Sequence, residues 1–385
     1  MTRLAVALLA ALALTACQTV GDAYDSLFGG SRPAQKPAEL VTFTPTAQPR
    51  VLWHGNVGAA GKTVFFPAVT GNAIFAGSAD GQIAGFQANN GAAVARFPTG
   101  EPLSGGVGAS GSLVLASTPK GEMVAYDRSG KLLWRTAVGG EVLAPAVAAG
   151  NLVVVRTSDG RIYGLDANDG KRRWVYQRST PALSVRSYTG VAVERGAVFA
   201  GFPGGRLVAL NLANGGVGWE SVVALPRGTT ELERVADVIG LPIVDGAQVC
   251  AVAYQGRVAC FDAQTGSTRW ARDISSYVGM AADDRNLYIT DDRNAIVALD
   301  KGTGASLWKQ DKLFGRSVTA PLALGRYVIV GDFQGYVHFL SREDGSFAAR
   351  VATDGSGILA PPVAVDFSTF VVQTRNGGLY AVTLQ

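Results

Sequence analysis

Residues Gly256–Trp270, GRVACFDAQTGSTRW, decide the fold, because the chain writes the same phrase repeatedly. Val258-Ala259-Cys260-Phe261 is a run of strand formers, entered through Gln255-Gly256 and left through Asp262-Ala-Gln-Thr-Gly266. An Asp at the head of such a turn can accept a hydrogen bond from a backbone N–H two residues on, and the Gly supplies the left-handed conformation of the return. One copy therefore reads as strand, turn, strand. The phrase recurs as GEMVAYDRSGKLLW (121–134), GRIYGLDANDGKRRW (160–174), GRLVALNLANGGVGW (205–219) and NAIVALDKGTGASLW (294–308). Weaker copies start at Gly81 and Gly335, and a truncated one at Gly377. The mean spacing of roughly 42 residues is that of four-stranded propeller blades.

Trp134, Trp174, Trp219, Trp270 and Trp308 end five copies, and the sixth tryptophan, Trp53, lies near the N-terminus. A buried indole removes about 150–250 Å² from water, so these residues are expected to anchor blade to blade. The last copy lacks an outer, Trp-bearing strand, and Val51-Leu52-Trp53 resembles the missing piece. The expected fold is all-β: an eight-bladed β-propeller of four-stranded blades, closed by residues 51–53 joining the last blade. Closure removes the open sheet edges that recruit other chains. Residues 50–385 are used up by this ring.

Blades open on Pro-bearing phrases at Phe66-Pro67, Ala144-Pro145, Leu241-Pro242, Ala320-Pro321 and Ala360-Pro361, as suits a strand start or an inner edge. Most links from an outer strand to the next blade are short, but Tyr176–Thr189 and Ser221–Gly240 are long. Both join consecutive blades in the same sense and so emerge as neighbours on one face. Within the second, Thr230-Glu231-Leu232-Glu233 has the capping-box pattern, followed by Leu232, Val235, Ala236 and Ile239 at helical spacing. The pattern predicts a short amphipathic helix, serving either as a lid on the ring or as a partner-binding element.

The first residues are a targeting segment. Met1-Thr2-Arg3 precedes the apolar Leu4–Leu14, which is too short for the roughly 20 residues a membrane span needs. Leu14-Thr15-Ala16-Cys17 resembles a bacterial lipobox, so residues 1–16 read as a lipoprotein signal peptide and Cys17 as the lipidated new N-terminus. Gln18 after the Cys favours the outer membrane in such sequences. Residues 17–49, with Gly29-Gly30-Ser31 and Pro33, Pro37, Pro45 and Pro49, have the composition of a tether.

Candidate chemistry is sparse. His54 and His338 are isolated, no Ser–His–acid phrase surrounds them, and Asp80, Asp159, Asp291 and Asp292 fall in hairpin turns without calcium-loop spacing. No catalytic residue, metal site or cofactor is expected. Cys250 and Cys260 stand nearly opposite each other on one hairpin, as either a disulfide or two buried thiols. The formal net charge of +4 carries no Lys/Arg run, which argues against a nucleic-acid stripe.

The repeat resembles that of the quinoprotein alcohol and glucose dehydrogenases. The quinone-binding enzymes of that group also use a planar Trp floor and often adjacent cysteines, whereas here every Trp belongs to the structural repeat and no Cys-Cys pair occurs. The lipobox, the eight-bladed ring with its Trp repeat and the two long links together resemble the BamB family, propeller lipoproteins of the outer-membrane β-barrel assembly (BAM) machinery. That resemblance implies a non-enzymatic scaffold on the periplasmic face of the outer membrane, docking onto the POTRA domains of BamA and possessing no cofactor. Carried over residue by residue, Leu183, Val185 and Arg186 match one docking segment of the family, and Thr230, Glu231, Arg234 and Asp237 match the other. Ile239 departs from the pattern, which has an acidic residue there. Contact with unfolded barrel clients is a further implication. The alternatives are a quinoprotein-like dehydrogenase and a periplasmic ligand-binding propeller.

Overall fold

The structure, a computed structural model, describes residues 36–384. The expected signal peptide, Cys17 and most of the expected tether lie outside the described residues. Alternation of apolar and polar side chains, punctuated by turn glycines, folds the chain into eight four-stranded antiparallel sheets. Seven blades run in chain order over residues 68–98, 108–137, 147–177, 191–222, 238–272, 279–310 and 322–352. The eighth takes its inner three strands from residues 363–383 and its outer strand from Arg50–Asn56, with Trp53 paired to Ala381. The result is an eight-bladed β-propeller closed by its N-terminal strand.

The core lies between blades, and the six indoles mark its outer seams. Each Nε1–H donates to a backbone carbonyl of the following blade: Trp53 to Ala88, Trp134 to Ala167, Trp174 to Leu212, Trp219 to Ala263, Trp270 to Lys301 and Trp308 to Arg342, all at 2.8–3.0 Å. The ring faces a turn glycine of that neighbour. At Gly215, φ is +71° and a Cβ would sit 2.6 Å from Trp174, so the backbone conformation and the close approach both require glycine.

Blades 1 and 7 have Ala95 and Ala349 where the register of the other six places the indole; on blade 1 the Phe97 ring faces Gly130 of the next blade instead, and on blade 7 a gap is left. The chain leading into the closing strand fills this gap. Thr46 and Ala47 donate their N–H groups to Ala348 O at 2.9 and 3.2 Å, Phe43 stacks on Phe347 at 5.4 Å, and Arg350 donates to Val41 O at 3.2 Å. Residues from Glu39 onward thus belong to the compact unit, although composition alone reads them as the end of a tether.

Two further details concern residues singled out in the sequence. Cys250 and Cys260 pair directly across the hairpin and are disulfide-bonded. Pro242 lies within the inner strand of blade 5, at an irregularity between Ile239 and Ile243 that leaves Leu241 bulged and exposed. The helix expected from Thr230 does not form. Residues 231–234 make one turn, and no α-helix occurs among the described residues. The capping box itself is present: Glu233 N–H donates to Thr230 Oγ1 at 3.2 Å, and the Glu233 carboxylate accepts from the N–H groups of Thr229 and Thr230 at 2.8 and 3.0 Å. Those bonds from Thr230 and Thr229 hold the carboxyl below its usual range. Propagation stops because Val238 and Ile239 pair with Ala253 and Val252 as the inner strand of blade 5, and sheet pairing outweighs one more turn of a short helix.

Candidate functional site

The two longest connections between consecutive blades are residues 178–190, between blades 3 and 4, and 223–237, between blades 4 and 5. Asp237 fastens them together. It is buried, and its Oδ2 accepts from Val185 N–H at 2.6 Å while Oδ1 accepts from Gly204 N–H at 3.1 Å. Its own backbone carbonyl accepts from Tyr254 N–H at 2.8 Å. One carboxylate therefore ties the first link to the start of blade 5 and to a turn of blade 4. A buried charge is tolerated when hydrogen bonds replace its hydration in this way.

The side chains of the first link are left facing outward. Leu183 is 40% exposed, Val185 half-buried, and Arg186 exposed with its guanidinium on Glu141 at 2.6 Å. The Glu141 hydrogen bond raises the Arg186 pKa. Tyr188 lies beside it, with the guanidinium 6.0 Å from the ring. On the second link Leu225 and Leu232 are exposed, as are Thr230, Glu231 and Arg234. Exposed apolar side chains held on ordered loops, rimmed by charge, have the composition of a protein-binding patch.

The structure thus brings Leu183, Val185 and Arg186 together with Asp237. Thr230 and Arg234 stand on the turn, where the Arg234 N–H bonds to Thr230 O at 3.1 Å. Ile239 is buried in the inner strand and presents nothing to solvent. Two nearby residues were not anticipated: Glu141, from the link between blades 2 and 3, and Arg156, which ends the second strand of blade 3. Both line a cavity of about 220 Å³ with Val185, Arg186 and Asp237. Among the described residues no group of three His, Cys, Asp or Glu side chains could hold a metal ion.

Comparison with known proteins follows the same line. A family model described as outer membrane protein assembly factor BamB matches residues 79–310. The assembly factor BamB of Bordetella pertussis is 42% identical over 98% of this chain and 96% of its own length. This chain belongs to the BamB family. The crystal structure of BamB from Moraxella catarrhalis superposes with a TM-score of 0.80 at 27% identity, over 87% of this chain and all of that one. A quinohemoprotein alcohol dehydrogenase from Comamonas testosteroni gives 0.69 at 11% identity, over 87% of this chain and 76% of that one, a likeness of fold alone. Membership of the BamB family carries the role of an outer-membrane protein assembly factor.

Proposed function

We infer that the protein is a lipid-anchored scaffold of the outer-membrane β-barrel assembly complex, held at the periplasmic face through Cys17 and docking onto the POTRA domains of BamA through its two long links. The bond from Val185 N–H to the Asp237 carboxylate carries this reading, because it fuses two sequence-distant links into one surface. Leu183 and Val185 supply apolar anchors, and Arg186 a planar donor fork suited to a carboxylate or a carbonyl. Thr230, Glu231 and Arg234 extend the surface on the second link. Asp237 contributes by position, since its oxygens are occupied and it is shielded from a partner.

The reading is non-enzymatic. All six indoles are engaged between blades, so none is free to floor a quinone. The test is capture of full-length BamA from the same organism by the full-length chain in mild detergent, with Arg186→Ala and Leu183→Arg alongside. Capture by the wild type and its loss in both variants, with melting temperatures unchanged, is the expected result. Unchanged capture by both variants would remove the assignment of the face, and no capture by the wild type would remove the partner.

A further inference from the structure

Four residues before the turn residue that opens each third strand, the repeat has one column at the end of the second strand: Gly77, Ser117, Arg156, Gly201, Val252, Thr290, Gly331 and Gln373. Only Arg156 is charged. The other polar members share a task, which is to bind a backbone carbonyl of a neighbouring segment. Ser117 Oγ donates to Val142 O at 3.1 Å, Thr290 Oγ1 to Thr319 O at 2.8 Å and Gln373 Nε2 to Gly77 O at 2.8 Å. Arg156 makes the corresponding contact to Gly190 O at 3.5 Å, the long limit of a hydrogen bond. A hydroxyl or an amide is enough for that task. The guanidinium brings four more N–H donors and a positive charge.

Its surroundings leave that charge without a bonded carboxylate. The Phe202 ring lies under it at 5.1 Å. Asp237 is near enough to be felt, but its oxygens bond to the Val185 and Gly204 N–H groups and not to the guanidinium. Glu141 is on Arg186, and Asp159 is on Arg161 at 2.9 Å. Among the described residues no carboxylate bonds to Arg156, and burial pushes its pKa down to about 10 against the pull of Asp237. Arg156 borders the 220 Å³ cavity, which Ser184, Ser187 and Thr189 also line. That volume is below the roughly 300–1,000 Å³ of pockets that enclose drug-sized ligands. It suits a side chain.

We propose that this cavity is a socket for one acidic side chain, Asp or Glu, projecting from the partner segment that docks on the two links, with Arg156 as its charge-matched donor. The proposal rests on the docking reading above. A guanidinium fork fits a carboxylate in a bidentate geometry. Arg156 is already largely desolvated in the free ring, so docking adds only the desolvation of the incoming acid.

The variant is Arg156→Gln, which keeps an amide donor for Gly190 O, as Gln373 does for Gly77 O, and removes the charge. Affinity of the full-length chain for full-length BamA is measured in detergent between low and high salt, with the melting temperature of each protein as a folding control. The socket requires an affinity about 10- to 100-fold lower for Arg156→Gln at low salt, as expected for losing a hydrogen bond to a charged group. It also requires a shallower salt dependence than wild type, which a purely structural role would not produce. Wild-type capture with Arg156→Gln indistinguishable at every salt overturns the socket and leaves the docking face standing. Failure of wild-type capture overturns the docking reading and the socket's occupant with it. If Arg156→Gln melts early, Arg156→Lys, which restores charge, decides: recovered affinity supports the socket, and none overturns it.

Discussion

At the scale of single residues, the chain depends on pairs in which one member is indispensable because of the other. Gly215 takes a φ of +71° under the Trp174 ring. Gly215→Ala should therefore cost about 2–4 kcal/mol, from the left-handed backbone and the forced ring shift together. Urea unfolding measures it, and a loss below 1 kcal/mol would show that the seam is looser than the contact distance implies. His338 is a second case. It is fully buried, its Nε2 lies 3.0 Å from Asp332, and its Nδ1 accepts from Arg350 Nε at 3.2 Å, so the imidazole is neutral with its proton toward the carboxylate. Burial lowers its pKa, with Asp332 pulling the other way. Asp332 itself, raised by burial, is lowered overall by its bonds to His338, Tyr336 N–H and Arg316. As pH falls through about 6.5, the unfolded histidine takes up its proton first, so stability declines. The melting temperature should drop between pH 7 and pH 5, and His338→Gln should flatten that drop. Parallel curves for the two proteins would assign the acid sensitivity elsewhere.

At the scale of elements, local preference and ring geometry compete, and the ring prevails. The capping box at Thr230 and Glu233 forms as its residues dictate, yet the apolar positions read as a helical stripe are divided among one turn, the short segment after it and a strand. Val235, Ala236 and Ile239 are buried while Leu232 is 71% exposed. A 3.6-residue period over so few positions cannot be told from a turn leading into a strand, because the deciding partner, Ala253 and Val252, is supplied by another part of the sequence. The seat of residues 41–47 on blade 7 was illegible for the same reason. Pro and Gly composition reads as tether, and the alanine in the tryptophan column of blade 7 is no signal by itself, because blade 1 has Ala95 in the same place. The two links were legible as neighbours from connection sense alone, but the device that joins them was not. Asp237→Ala would leave the part-buried N–H groups of Val185 and Gly204 without their acceptor, at about 1–2 kcal/mol each, and release the first link. Stability should fall by about 2–5 kcal/mol, and BamA capture should weaken even where the protein remains folded. Asp237→Asn retains one acceptor and should lie between. Wild-type capture by folded Asp237→Ala would mean that the links hold their arrangement without this bond.

At the scale of the whole molecule, the repeat made the blade number and the closing strand readable, since eight copies with one outer strand missing leave a single place for Val51-Leu52-Trp53. The seam so formed differs from the others in kind. Elsewhere an outer strand follows its neighbour through a short turn, and losing an indole leaves the strand tethered beside its partner. Arg50–Asn56 meets Gly378–Thr383 from the other end of the chain, so noncovalent contacts alone hold the ring shut. Trp53 contributes its bond to Ala88 O and its stacking on Phe86 at 5.8 Å, and the following link adds Val57 N–H to Gly377 O and Ala60 N–H to Arg375 O. Trp53→Ala and Trp174→Ala should each cost about 3–5 kcal/mol of global stability, as large aromatic deletions do. Their local consequences should diverge. In Trp53→Ala, opening separates whole strands and bares the edge of Gly378–Thr383, so amide exchange should accelerate across that strand and the protein should self-associate through the exposed edge. In Trp174→Ala the third strand of blade 3, Arg161–Asp166, remains paired and should keep its protection. Hydrogen exchange on the two variants at matched stability separates these outcomes. Equal protection of residues 378–383 and 161–166 would show that closure is as secure as any seam within the continuous chain.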